Sequence, residues 1–161
     1  MLEVWDNNWL TKTNNNNDTD TDFESAMSAI NTIMPAPGTG TPASTPQEVL
    51  FLVSDGVDDE VSTTCSAALD GNRCQQPFNT TWCTTVKNRG ILIAVLYTDY
   101  LPLPTNSWYN EWIAPFQSEI GPNLQGCASP GLFFSVTTDG DISAAMQTMF
   151  QQAIAAARLM K

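Results

Sequence analysis

The segment that most constrains the fold is a five-residue apolar run, residues 49–53, followed directly by Ser54, Asp55 and Gly56. A continuous apolar run of this length is typical of a strand buried on both faces, as in the middle of a parallel sheet. Ligands of open α/β sheets bind beyond the carboxyl ends of the strands, which is where Asp55 falls. Because Gly56 permits a sharp turn and carboxylates bind hard cations, the segment predicts a cation ligand at Asp55.

Apolar runs and helical spacings alternate along the chain, which predicts an α/β fold with a parallel sheet flanked by helices and joined by right-handed crossovers. Strands are predicted at residues 3–5, 49–53, 91–97 and 131–136, and helices at residues 80–89, 108–119 and 141–160. A further helix begins at Thr21 or Asp22, residue types that favour a helix N-terminus, and ends before Pro35.

Two further predictions concern the segment after the strand at residues 49–53 and the last helix. Residues 55–79 are expected to form a long loop in which Asp58, Asp59 and Glu60 are solvated acids. The last helix is amphipathic, with a predicted buried face consisting of Ile142, Ala145, Met146, Met149, Phe150, Ala153 and Ala157.

The charge is negative and unevenly spread. The formal net charge is −11, and residues 1–60 hold eleven acids and one lysine. Nucleic acids and anionic membranes repel such a surface, so a cation or a basic protein partner fits better. No window approaches 18 apolar residues, which predicts no membrane segment in this chain. The first residues also lack the features of a secretory signal, so either the chain is cytosolic or its targeting segment lies outside it.

The chain contains four cysteines and no histidine. Cys65, Cys74, Cys83 and Cys127 are separated by 9, 9 and 44 residues, which matches no closely paired zinc motif. Two disulfides are predicted, with three connectivities open, and they imply an extracytoplasmic compartment. The alternative is a cytosolic protein with buried free thiols. The lack of histidine removes the nucleophilic mechanisms that use a Ser/His or Cys/His pair.

A helix-opening threonine, followed by an apolar strand that ends in Ser54-Asp55-Gly56, resembles the second half of a von Willebrand factor A domain. That family holds a metal ion at an adhesion site built from an Asp-x-Ser-x-Ser loop, a threonine and a later aspartate. The resemblance implies that Thr21 and Asp55 are ligands of Mg²⁺ or another divalent cation, and Asp58 is a candidate group beside them. The chain has no Asp-x-Ser-x-Ser motif. Residues 1–161 are therefore expected to form one domain of this kind without its first strand and main ligand loop, so that the metal site is incomplete.

A second resemblance covers nearly the whole chain. It rests on Arg73-Cys74-Gln75, Cys83 with residues 86–91, residues 97–100, Trp108-Tyr109 and Cys127-Ala128-Ser129. These segments resemble the C-terminal half of TadG-type pilus assembly proteins of the bacterial tight-adherence (Flp) system. The resemblance implies a non-enzymatic binding and assembly module of the cell envelope, located in the periplasm or at the cell surface. It also implies a protein partner, and a membrane anchor upstream in the full-length relatives.

Among the three connectivities we favour Cys65–Cys74 and Cys83–Cys127. The first pair closes a small loop, and the second joins the helix before one strand to the loop before another.

Two other functions are compatible with the sequence. One is a Mg²⁺-dependent phosphoryl-transfer enzyme that uses Asp55 and the acids after it. Against it, the chain lacks a glycine-rich phosphate loop and histidine. The other is a structural, disulfide-stapled fragment whose site is vestigial.

Overall fold

The computed structural model describes residues 21–38, 46–62 and 64–159. The helices in this part of the chain are α1 (Phe23–Ile33), α2 (Thr80–Asn88), α3 (Ser107–Trp112), α4 (Gln117–Cys127) and α5 (Ile142–Leu159). The strands are β1 (Val49–Ser54), β2 (Val57–Val61), β3 (Leu69–Asp70), β4 (Arg73–Pro77), β5 (Leu92–Thr98) and β6 (Phe133–Val136). The strand predicted at residues 3–5 lies outside the described residues.

Strands β1, β5 and β6 form a parallel sheet with β5 in the middle. Ile93 and Val95, on one face of β5, pack against α1, α2 and α4. Ala94 and Leu96, on the opposite face, pack against α5. The predicted α/β fold, a parallel sheet flanked by helices, is therefore confirmed, and this arrangement is compatible with a Rossmann-like fold.

The segment predicted as one long loop, residues 55–79, instead contains three strands that form an antiparallel sheet with the order β2-β4-β3. The loop prediction is wrong because these strands lack an apolar alternation. Strand β2 has three acids between two valines, and all of β4 is buried although Arg73, Gln75 and Gln76 are polar. Hydrophobic periodicity detects strands that bury apolar side chains on one face, and these two strands bury polar ones.

Helix termini follow local capping chemistry. Of the two candidates for the start of α1, Asp22 is the N-cap, and its Oδ1 accepts a hydrogen bond from the backbone N–H of Ser25 at 2.8 Å. Asn79 caps α2 through a bond from the N–H of Thr81 at 3.0 Å. Helix α2 ends just before Gly90, whose φ of +84° suits the turn after a helix.

The single helix predicted at residues 108–119 is wrong. The structure has two helices, α3 and α4, separated by a turn at residues 113–116. Pro115 lies in this turn, where its missing N–H and the restraint it places on the preceding residue end α3.

The predicted buried face of α5 is only partly correct. Met149 and Ala153 are buried against the sheet, whereas Ile142, Met146 and Phe150 are exposed. Periodicity identified the apolar stripe of the helix, but the described sheet is too narrow to cover its full width.

Two disulfides are present, and both favoured pairs are confirmed. Cys65–Cys74 has a Cα–Cα distance of 5.7 Å, and Cys83–Cys127 one of 5.2 Å. Disulfides of this kind persist in oxidising, extracytoplasmic compartments. None of the described helices is long and apolar enough to cross a membrane.

Candidate binding site at the carboxyl edge of the sheet

Asp55 lies directly beyond the last residue of β1, at the carboxyl edge of the parallel sheet. Two hydrogen bonds shape the turn there: the N–H of Gly56 donates to Ser54 Oγ at 2.9 Å, and the N–H of Val57 donates to Asp55 Oδ1 at 3.3 Å. Gly56 has a φ of +81°, which a side-chain-bearing residue rarely adopts. The turn sends the chain into β2 and leaves Asp55 exposed at the edge.

No basic group of the described residues is found to neutralise the Asp55 carboxylate. Its pKa is raised, mainly because the surrounding protein partly desolvates the charged form, although the residue as a whole remains exposed. Hydrogen bonds from Val57 and Ser54 oppose this effect, and no basic side chain is among the groups that act on the pKa. A cation or a basic group placed here would therefore stabilise the ionised carboxylate.

The neighbouring strand brings aromatic and apolar groups to the same edge. Tyr100 follows the end of β5 and stacks on Tyr109 with ring centroids 6.4 Å apart. The pKa of the Tyr100 hydroxyl is raised by burial and then by the negative charge of Asp55. Leu101 and Leu103 continue from Tyr100 and are exposed. The edge thus combines a carboxylate, a phenol and two exposed leucines.

Gln117, at the start of α4, holds this edge loop in place. Its Nε2 donates to the carbonyl oxygen of Tyr100 at 3.0 Å, and its Oε1 accepts a hydrogen bond from the hydroxyl of Tyr109. One side chain therefore connects α4, the Tyr100 backbone and the aromatic ring stacked on Tyr100.

Thr21 lies beside β2, next to the N-terminus of α1. It forms a β-bridge with Asp59, in which N–H to O distances are 2.8 and 3.2 Å. No hydrogen bond between Thr21 and Asp55 is found among the described residues, and these residues contain no group of three or more His, Cys, Asp or Glu side chains arranged to hold a metal ion. The role of Thr21 and Asp55 as metal ligands stays a prediction.

The description of Asp58, Asp59 and Glu60 as solvated loop acids is wrong, because all three belong to β2. Asp58 is fully buried; its Oδ1 accepts a bond from the N–H of Phe23 and its Oδ2 one from Gln76 Nε2, both at 2.9 Å. Both carboxylate oxygens are thus used within the protein. Asp58 joins β2 to the start of α1 and to β4, while its predicted place beside a cation stays untested.

Asp59 points to the opposite face of β2 and pairs with Arg73 of β4. Arg73 donates to both carboxylate oxygens of Asp59, from Nε at 2.7 Å and from Nη2 at 2.5 Å, and its guanidinium lies 5.3 Å from the ring centre of Trp108. Gln75 Nε2 also donates to Asp59, at 3.3 Å. Sequence reasoning missed this pair, because fourteen residues separate its members and no local motif links them.

A cluster of acidic side chains surrounds the N-terminus of α1, and the sequence analysis did not predict it. The pKa of Glu60 is raised to about 7 by desolvation and then by the charges of Asp58, Asp22 and Glu24. An open groove of about 570 Å³ runs along the outside of α1 at this point. Its lining consists of Glu24, Ser25, Ser28, Ala29, Thr32, Ile33 and Glu60.

Comparison with known proteins finds no matching family model, no matching curated protein and no matching solved structure. The function of this chain is therefore inferred from the geometry of the carboxyl edge, together with the sequence resemblances.

Proposed function

We propose that this chain is a non-enzymatic binding and assembly module that contacts a protein partner through the carboxyl edge of its parallel sheet. One observation carries the proposal: Asp55 presents an exposed carboxylate there with a raised pKa, and no basic side chain of the described residues acts on that pKa. Exposed Leu101 and Leu103, next to Tyr100, add apolar contact area beside the charge. A central apolar and aromatic patch with a few polar groups is typical of protein interfaces.

The partner we propose is a component of the bacterial cell envelope, in the periplasm or at the cell surface. The resemblance to TadG-type proteins points to the tight-adherence pilus system. The two disulfides support an oxidising compartment. The acidic first third of the chain favours a partner that presents either a basic group or a bound divalent cation.

In the cation-dependent form of this proposal, Asp55 and Thr21 are two ligands of Mg²⁺ or a similar ion. The described residues do not form a complete metal centre by themselves. Mg²⁺ keeps several waters and takes few protein ligands, so one carboxylate and one hydroxyl supply only part of a coordination shell.

The test follows Mn²⁺ titrated into the ¹⁵N-labelled full chain by paramagnetic broadening of amide signals. We expect broadening centred on Asp55, Gly56 and Tyr100, and its loss in Asp55→Asn. Asp139→Asn is the matched control, because Asp139 is also an exposed aspartate just after a strand of the same sheet. Broadening centred on Glu60 instead, or none above background, would overturn the cation-dependent form.

The same two variants test the non-enzymatic assignment. Full chain, Asp55→Asn and Asp139→Asn are incubated with p-nitrophenyl phosphate and Mg²⁺. We expect no turnover above the buffer rate in any of them. Turnover that disappears only in Asp55→Asn would replace the binding module with a phosphoryl-transfer enzyme.

A further inference from the structure

The two disulfides differ in how accessible their cysteines are. Cys83 and Cys127 are both fully buried, in the core that the parallel sheet shares with α2 and α4. Cys74 of β4 is also fully buried, but its partner Cys65 is partly exposed. Thiol–disulfide exchange requires a thiolate to reach one of the two sulfur atoms. The Cys65–Cys74 disulfide is therefore the one that an external thiol reaches without opening the core.

Cys65 belongs to a surface segment between β2 and β4. The strand that follows it, β3, consists of only Leu69 and Asp70, and it pairs with β4. Most of residues 66–72 are exposed. Segments with few buried contacts open locally at a low cost in free energy. The disulfide thus joins an exposed segment to a buried strand, which makes it a covalent hold on the antiparallel sheet rather than a part of the main core.

Hydrogen bonds connect this segment to the start of α1. Ser66, the residue after Cys65, donates from both its backbone N–H and its Oγ to Gln76 Oε1, each at 3.0 Å. Gln76 Nε2 donates to Asp58 Oδ2 at 2.9 Å, and Asp58 Oδ1 accepts the N–H of Phe23 at 2.9 Å. The Gln76 amide is therefore oriented on one side by the residue next to the disulfide and on the other by the carboxylate that holds α1.

We propose that Cys65–Cys74 is a thiol-exchange site, which an external dithiol opens by attack on Cys65, and that its opening loosens the start of α1. Once the bond is broken, the segment that carries Ser66 loses its covalent link to β4 and orients the Gln76 amide less strictly. Gln76 then holds Asp58 less firmly, and with it the first residue of α1. This switch does not depend on the binding proposed for the carboxyl edge.

The exchange is a two-electron reduction of the disulfide by the dithiol. One thiolate of the dithiol attacks Cys65 Sγ and forms a mixed disulfide, while the bond to Cys74 breaks and its electron pair leaves on Cys74 Sγ. The second thiolate then attacks the dithiol sulfur bound to Cys65, which releases Cys65 as a thiolate. The dithiol ends as a disulfide, and both cysteines take up a proton to become thiols. Oxidoreductases of the compartments in which disulfides persist carry out such exchange.

The first test is reduction of the folded full chain by dithiothreitol, with the freed thiols blocked by N-ethylmaleimide and located by peptide mass spectrometry. We expect Cys65 and Cys74 to be labelled about tenfold faster than Cys83 and Cys127, because an external thiol reaches only Cys65 directly. With glutathione in place of dithiothreitol, we expect the mixed disulfide on Cys65 and the label on Cys74. Equal rates for the two disulfides, or glutathione on Cys74, would overturn the proposal.

A second measurement is amide hydrogen exchange of the full chain with the exchange site reduced and the buried disulfide intact. We expect the amide of Phe23, which donates to Asp58, to exchange about tenfold faster than in the oxidised chain. The amide of Val95, in the middle of the parallel sheet, is the internal control and should not change. Unchanged exchange at Phe23 would reject the switch. Equal acceleration at Val95 would also reject it, because the whole chain would then have unfolded.

Ser66→Ala separates the hydrogen-bond route from the disulfide itself. It removes the Oγ donor to Gln76 while Cys65–Cys74 stays oxidised. We expect the Phe23 amide to exchange faster in oxidised Ser66→Ala than in the oxidised parent chain. Ser118→Ala, at an exposed position on α4, is the matched control and should leave this rate unchanged. The same Phe23 rate in both variants would show that Ser66 and Gln76 do not connect the disulfide to α1.

Discussion

Asp58 is an acid whose role is decided by its partners. Asp58 lies a few residues after the end of β1, where a solvated loop acid or a ligand beside a cation is expected, yet its side chain is fully buried. Its two oxygens accept hydrogen bonds from the N–H of Phe23, at the start of α1, and from Gln76 of β4. Burying a carboxylate is costly unless it is hydrogen-bonded, and the raised pKa of Asp58 shows that part of this cost remains.

Replacing Asp58 by Ala should lower the free energy of unfolding by about 2 to 4 kcal/mol, because two buried donors lose their acceptor. Asp58→Asn keeps an acceptor for Phe23 and should cost less. Asp22→Ala, which removes the N-cap contact to Ser25, should cost about 1 kcal/mol. Urea unfolding measures all three, and an equal loss in Asp58→Ala and Asp22→Ala would contradict the buried role.

The stability of the fold should fall as the pH rises from about 5 to about 7.5. The pKa of Glu60 is about 7 in the folded protein against 4.5 ordinarily, so the folded state binds its proton more tightly than the unfolded state does. The folded state therefore loses stability as Glu60 ionises, and Asp55 and Asp58, with raised pKa values, act in the same direction.

The free energy of unfolding of Glu60→Gln should decrease less between pH 5 and 7.5 than that of the parent protein, by about 1 to 2 kcal/mol, allowing for solvent screening of a partly exposed group. Glu111→Gln, at an exposed position on α3, is the matched control for the loss of one carboxylate. Denaturant midpoints between pH 5 and 8 supply the comparison. A Glu60→Gln profile parallel to that of the parent protein would show that Glu60 titrates normally.

At the scale of elements, the junction between β1 and β2 depends on Gly56. A Cβ built there would lie 2.7 Å from Leu124 Cδ1 and 2.8 Å from Ile120 Cγ2, so α4 packs directly on the turn that carries Asp55. The positive φ of Gly56 is a second reason why other residues do not fit. Packing against α4 and the turn geometry thus fix the direction in which the chain leaves the candidate site.

Gly56→Ala should lower the free energy of unfolding by about 2 to 4 kcal/mol, since it combines the left-handed backbone cost with overpacking. Gly131→Ala is the control: its φ is +76°, but nothing lies within 4 Å of the added Cβ. That variant should lose only about 1 kcal/mol. If thermal or urea unfolding showed the same loss of unfolding free energy for both variants, the close contact with α4 would not contribute to the cost of Gly56→Ala.

At the scale of the whole molecule, the disulfides connect elements that are distant in sequence. Cys83–Cys127 joins α2 to the end of α4, both on the same face of the parallel sheet, and closes a loop of 44 residues. Cys65–Cys74 closes 9 residues within the antiparallel sheet region. A cross-link stabilises mainly by restricting the unfolded chain, and more so for a longer loop.

The double variant Cys83→Ala/Cys127→Ala should therefore lose about 4 kcal/mol, and Cys65→Ala/Cys74→Ala about 3 kcal/mol. Unfolding in urea without reductant gives both values. A larger loss for the shorter loop would mean that local packing at β4, rather than chain entropy, dominates the effect of the disulfides.

Sequence alone determined the elements whose signal is local. The runs around Val49 and Ile93 specify strands, and the alternation of elements specifies a parallel sheet. The prediction that residues 49–53 are buried on both faces is wrong, because β1 has only β5 as a described neighbour and Phe51 and Val53 are exposed. The start of the first helix was narrowed by the sequence to Thr21 or Asp22. The position of Asp55 at the end of β1 followed from the same pattern. These features depend on residues close together in the chain, so periodicity and capping chemistry reveal them.

Only the tertiary structure decided which polar groups meet. Asp59 pairs with Arg73 and Asp58 binds the start of α1, both through contacts between elements distant in sequence. Desolvation, followed by the charges of Asp58, Asp22 and Glu24, raises the pKa of Glu60 to about 7. The sequence did not predict the antiparallel sheet, because polar contacts between β2 and β4, rather than an apolar pattern, hold these strands together. The hydrogen-bond partners of buried polar groups depend on which elements the fold brings together, and the spacing of residues in the sequence does not reveal this.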